Sequence, residues 1–106
     1  MINIAVNDEL LKSIHSVFLE SHETDEEGAL VEVSLMIAIS KRDKYLSECR
    51  RFEDKYKTTF ESLVSKVRAE KGKEDFEVED DLNDWEFAVT SLKWWDSKVA
   101  ELNRVF

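Results

Sequence analysis

A mostly α fold is the class this 106-residue sequence predicts, with a short N-terminal strand and about four helices, one of them long and central. Three observations lead there. The chain has no proline and only two glycines, Gly28 and Gly72, whereas a β-sandwich or barrel needs many turns. Charged residues make up 37% of it, which suits exposed helix faces. Two long stretches, Val31 to Tyr56 and Trp85 to Phe106, repeat apolar residues at alternating steps of three and four, the spacing of one helix face. The length supports one domain with an arm. We divide it into residues 1–57, a strand–helix–long helix core expected to form a homodimer, and residues 58–106, a short helix, an acidic linker and an aromatic C-terminal helix.

Each element has its own signals. Ile2, Ile4 and Val6 alternate with Asn3 and Ala5 and read as a strand. Asn7 then caps a helix whose first turn holds Asp8 and Glu9, where carboxylates complement the exposed backbone N–H groups. Leu10, Ile14, Val17 and Ser21 line one side of it, widened by Leu11 and Phe18. The polar stretch 22–28 contains Thr24 and Glu27 at capping-box spacing. Residues 29–39 admit two readings. Val31, Val33, Leu35, Ile37 and Ile39 alternate as in a strand, which gives an α+β alternative with residues 30–39 as a second strand. Yet Val31, Leu35, Ala38, Arg42, Tyr45, Cys49, Phe52 and Tyr56 keep one 4-3-4-3 rhythm, and we prefer a single helix over about 25–57. At 1.5 Å per residue it would be close to 50 Å long, too long for one small domain to cover. Thr58 and Glu61 form another capping box before a short helix with Phe60, Leu63, Val64 and Val67 inward, and Gly72 is its stop. Residues 73–84 are expected to be linker, with Asn83 to Glu86 capping the last helix. That helix carries Trp85, Ala88, Leu92, Trp95, Val99, Leu102 and Phe106 on one face, and Phe87, Trp94 and Val105 on a second.

Charge is segregated. The net −9 divides into −7 over residues 1–40, +5 over 41–73 and −7 over 74–106. An acidic segment of this kind seeks a basic surface, in its own chain or in a partner. No apolar run is long enough to span a bilayer. The start Met1-Ile-Asn-Ile-Ala lacks the basic residues of a secretory signal, and the lone Cys49 cannot form an internal disulfide. Both point to the cytoplasm.

Chemistry finds little support. His15 and His22 lie seven apart with no third ligand at metal spacing, and Cys49 lies on the apolar row between Tyr45 and Phe52, where packing outweighs reactivity. There is no phosphate-binding loop. We therefore expect no enzyme, no cofactor, no metal and no small-molecule substrate. Contact-making residues are the stronger signal. Eight acids fall within residues 74–86, with Phe76, Val78, Leu82 and Trp85 among them. Phe76, Val78, Glu79, Asp80, Asp81, Asp84, Phe87 and Trp94 are the candidate partner-binding residues. Ile2, Ile4, Val6, Val31, Leu35, Tyr45, Phe52, Trp85, Leu92 and Trp95 are the candidate core and dimer residues.

Two resemblances bear on function. The segment Ile2-x-Ile4-x-Val6-Asn7-Asp8-Glu9-Leu10, with Ile14 and the Thr24 cap, resembles the ribbon-helix-helix regulators over about the first 40–45 residues. That resemblance implies a dimer with paired strands. It implies DNA reading less, because the outward residues would be Asn3 and Ala5, and the phosphate-anchoring position holds Asp25, Glu26 and Glu27. Residues 50–95 resemble small archaeal and cyanobacterial antitoxins of toxin–antitoxin loci. The match runs over Phe52-Glu53-Asp54-Lys55-Tyr56-Lys57-Thr58-Thr59-Phe60-Glu61, then Phe76-Glu77-Val78-Glu79-Asp80-Asp81, then Asp84-Trp85-Glu86. It departs at Lys57 and Thr58, where Gly and Met are usual. This resemblance implies a protein that neutralises a small toxin, often an RNase. The expected function is thus a protein-binding module that sequesters a basic partner. The alternatives are a dimeric DNA-binding regulator and a self-assembling structural protein.

Overall fold

The computed structural model describes residues 7–21, 26–70, 72 and 75–104. They form four helices in the order α1 (Asp8–Ser21), α2 (Glu26–Tyr56), α3 (Phe60–Ala69) and α4 (Phe76–Asn103). No strand occurs among the described residues. The strand expected at Ile2, Ile4 and Val6 lies outside them, as do Thr24 of the expected capping box and Phe106 of the C-terminal row. The α+β alternative is corrected: residues 30–39 are helical and belong to α2. The 4-3-4-3 rhythm decided this, because a strand there would have broken a face that continues to Tyr56. At 31 residues, α2 is about 46 Å long.

The helix ends follow from local chemistry. The Asn7 side-chain oxygen accepts from the Leu10 N–H at 2.8 Å and caps α1. α2 stops at Lys57, which adopts the left-handed φ of 54° and returns its N–H to the Glu53 carbonyl at 2.7 Å. The cap of α3 is Thr59, one residue later than expected. Its hydroxyl accepts from the Ser62 N–H at 3.2 Å.

The largest correction concerns residues 76–84, expected as linker. They are the first turns of α4. Asp75 is the cap, accepting from the Glu77 and Val78 N–H groups at 3.1 and 3.3 Å. Glu77 and Glu79 then lie where the helix dipole favours carboxylates. Val78, Leu82 and Trp85 extend the apolar face backward at the same 4-3 spacing, so the acidic run is one side of an amphipathic helix.

The chain divides into two compact units inside α2, Met1–Ser34 and Leu35–Phe106. In the first, Ala29 is the one buried hydrophobic among the described residues, while Leu11, Ile14, Val17 and Leu30 are exposed. The second holds a real core of Cys49, Phe52, Leu63, Trp85 and Ala88, flanked by Tyr45, Tyr56, Phe60, Val67, Val78, Leu82, Val89 and Leu92. Here α2 and α4 run antiparallel. Lys55 meets Glu77 and Asp81, Phe52 meets Trp85, and Tyr45 meets Phe87, so the numbers fall along α2 as they rise along α4.

Candidate functional site: the two faces of α4

α4 is apolar on two sides, and packing separates them. On the inner side Trp85 is only 1% exposed. Its ring stacks on Phe52 (centroids 5.6 Å) and on Tyr56 (6.2 Å), and Phe60 meets it edge-on at 5.5 Å. Ala88 and Val99 are also buried, and Leu92, Trp95 and Leu102 are half-buried. This row is the lid of the core of the second unit. Of the expected core residues described here, Phe52 and Trp85 are buried, and Val31, Leu35, Tyr45, Leu92 and Trp95 are half-buried.

The outer side presents Phe76, Phe87 and Trp94, which are 71%, 63% and 53% exposed. At eleven and seven residues apart they fall on one line of the helix. Glu79, Asp80 and Asp84 of the same helix are exposed beside them. The outer row is held in shape from within. Phe87 meets Tyr45 edge-on at 5.9 Å, and Trp94 meets Trp95 at 4.7 Å with the rings near perpendicular. The Lys98 ammonium lies 5.1 Å from the Trp94 ring centre and pairs with Glu101 at 3.1 Å.

Two of the residues expected to bind a partner turn inward instead. Val78 packs on the core. Asp81 accepts from Lys55 Nζ at 2.5 Å and from the Tyr56 hydroxyl, while Glu77 accepts from the same ammonium at 3.0 Å. Donation from Lys55, then from Tyr56, holds the Asp81 carboxyl below the ordinary carboxylate range. Burial, and then its bond to Asp81, pushes the Tyr56 hydroxyl up to about 12. Bonds to Asp81 and Glu77 hold the Lys55 ammonium charged beyond the usual lysine range. Part of the acidic run is therefore spent on fastening the start of α4 to the end of α2. Lys55 and Tyr56 are parts of this arrangement that sequence reasoning did not single out. The signal is in the charge pattern: the basic stretch 41–73 is the one part of the chain that can take up acids of the segment 74–106.

Cys49 is buried in the core, and burial, then Glu53 and Glu48, push its thiol up, away from the reactive thiolate. His15 is exposed, and His22 lies outside the described residues. Among the described residues no group of three or more His, Cys, Asp or Glu is placed to hold a metal ion, and no helix is long and apolar enough to cross a membrane. Comparison of the chain with protein-family models, with curated proteins and with solved structures returns no match.

Proposed function

We propose that this chain is a non-enzymatic, antitoxin-like binding module that sequesters a basic protein partner, such as a small toxin or nuclease, on the outer face of α4. The observation that carries the reading is the exposure of Phe76, Phe87 and Trp94 on one line of a helix whose other apolar side holds the buried Trp85, Ala88 and Val99. Aromatic residues are the usual anchors of protein interfaces. The charge specifies the partner. Residues 74–106 carry −7, and Asp81 and Glu77 are satisfied internally, which leaves Glu79, Asp80 and Asp84 to meet cations beside the aromatic anchors. Such carboxylates stand in for phosphates when the partner's own ligand is a nucleic acid. The proposal keeps Phe76, Glu79, Asp80, Asp84, Phe87 and Trp94 as contact residues and reassigns Val78 and Asp81 to support.

The test is to read the neighbouring reading frames for one that encodes a small basic protein and to co-express this chain with it. Wild type is expected to co-purify with it, with retention falling as salt rises. The Phe87→Ser/Trp94→Ser variant should lose it while keeping its helical circular dichroism. Equal retention by the variant, or no complex with wild type, overturns the proposal.

A further inference from the structure

The first compact unit is poorly covered. α1 presents Leu11, Ile14 and Val17 at helical spacing on one face, at 47%, 38% and 66% exposure. Leu30, at the start of α2, is exposed as well. Chains of under about 40 residues rarely form a stable core without oligomerisation, a metal or a disulfide. A 14-residue helix is marginal alone. Something must cover this face.

Charge indicates what. Residues 1–34 carry eight acids and one base, and Asp8, Glu9 and Glu20 lie exposed at the two ends of α1. Two such units packed on each other would place −7 against −7. The same chain holds the complementary surface in its second unit. There the row Ile37, Lys41, Lys44, Glu48, Arg51, Lys55 follows one face of α2 at steps of 4, 3, 4, 3, 4. Lys41, Lys44 and Arg51 of this row are exposed and make no ion pair among the described residues, whereas Lys55 is committed to Glu77 and Asp81. At its upper end Ile37 and the neighbouring Met36 are 50% and 63% exposed. An apolar patch followed by unpaired lysines matches an apolar helix face that ends in carboxylates.

We infer that a second copy of the chain covers these surfaces reciprocally. The α1 of each copy lies along the partner's α2, with Leu11, Ile14 and Val17 on Met36 and Ile37, and Asp8, three residues before Leu11 on the same row, toward Lys41 and Lys44. In such a pair the contact is made twice, α1 on α2 and α2 on α1, which makes it an isologous dimer rather than a head-to-tail chain. A stable interface buries about 1,200 Å² or more, and the two-fold pair uses this contact twice. The inference is independent of the outer face of α4, which the dimer leaves open.

Sedimentation equilibrium of the full chain at low and high salt tests it. Wild type is expected to dimerise, with affinity falling as salt rises. The Lys41→Glu/Lys44→Glu variant and the Asp8→Lys/Glu9→Lys variant should each weaken the dimer by about tenfold or more, with helical circular dichroism retained. Mixed together, the two variants restore one acid–base contact of each kind and should form a one-to-one heterodimer. A monomer at all concentrations overturns the inference. So does a dimer indifferent to both variants, or a mixture that fails to pair. Duplex DNA bound through Lys41 and Lys44 by a monomeric wild type would assign the row to nucleic acid and also overturn it.

Discussion

Trp85 and Trp94 offer the same side chain on one helix in opposite environments, and replacing each with alanine separates packing from presentation. Trp85 is 1% exposed and touches the rings of Phe52, Tyr56 and Phe60. Removing a buried tryptophan costs the transfer free energy of the lost atoms plus that of the cavity left behind, about 3–5 kcal/mol in all. The three ring contacts place Trp85→Ala at the upper end of that range. Against a stability of about 5–15 kcal/mol for an ordinary domain, the loss moves the protein to the edge of unfolding. Trp94 is 53% exposed, and among the described residues its one close ring partner is Trp95 at 4.7 Å. An edge-to-face pair contributes about 0.5–1.5 kcal/mol, so Trp94→Ala should cost about 1 kcal/mol. Urea unfolding followed by far-ultraviolet circular dichroism reads both. Should Trp85→Ala leave too little native baseline, Trp85→Phe supplies a graded loss at the same site. A Trp94→Ala cost matching that of Trp85→Ala would show the outer face to be packed, and the division of α4 into a lid and a contact surface would fail. A Trp85→Ala cost below about 1.5 kcal/mol would fail it from the other side.

Two further outcomes follow from local geometry. Lys57 holds a left-handed φ of 54°, which costs a residue with a Cβ about 1 kcal/mol, so Lys57→Gly should raise stability by about 0.5–1 kcal/mol at unchanged urea m-value; an unchanged or lowered midpoint refutes the assignment of strain there. The Lys55–Asp81–Tyr56 cluster gives a signed alkaline response. Burial and then the bond to Asp81 raise the Tyr56 hydroxyl from its ordinary 10 to about 12, and Lys55 is raised as well, so the native state holds these protons longer than the unfolded chain. That stabilisation is complete below pH 10 and fades as pH climbs toward 12. Melting temperature should fall over that window and fall less in Tyr56→Phe; identical slopes would remove Tyr56 from the account.

What the sequence made legible was whatever periodicity encodes. The 4-3 rows placed α2 and the inner face of α4 correctly, and the two-faced character of α4 was visible from Phe87 and Trp94 against Trp85. The misread stretch was 76–84. There, acid density suggested solvated linker, and the apolar positions Val78 and Leu82 counted for less than they should have. Their register with Trp85 was the better guide, together with Asp75 as a cap two residues before Glu77. Cross-chain partnership was the least legible. Nothing local to Asp81 shows that Lys55 and Tyr56, twenty-six and twenty-five residues earlier, will take its carboxylate. That pairing exists only because an antiparallel α2–α4 arrangement brings the end of one helix to the start of the other. For the same reason Asp81 and Asp84, three residues apart in an acidic run, have different surroundings, the first bonded to Lys55 and Tyr56 and the second exposed.

The three indoles are also graded in depth, with Trp85 sealed, Trp95 half-covered and Trp94 open. The molecule thus carries its own optical reporters. Emission from Trp85 should be blue-shifted and protected from aqueous iodide, and emission from Trp94 red-shifted and quenched. A ligand settling on the outer face would protect Trp94 alone, while a loosening of the core would expose Trp85 first. Single-tryptophan versions of the chain would then distinguish occupancy from unfolding in one cuvette without any attached dye.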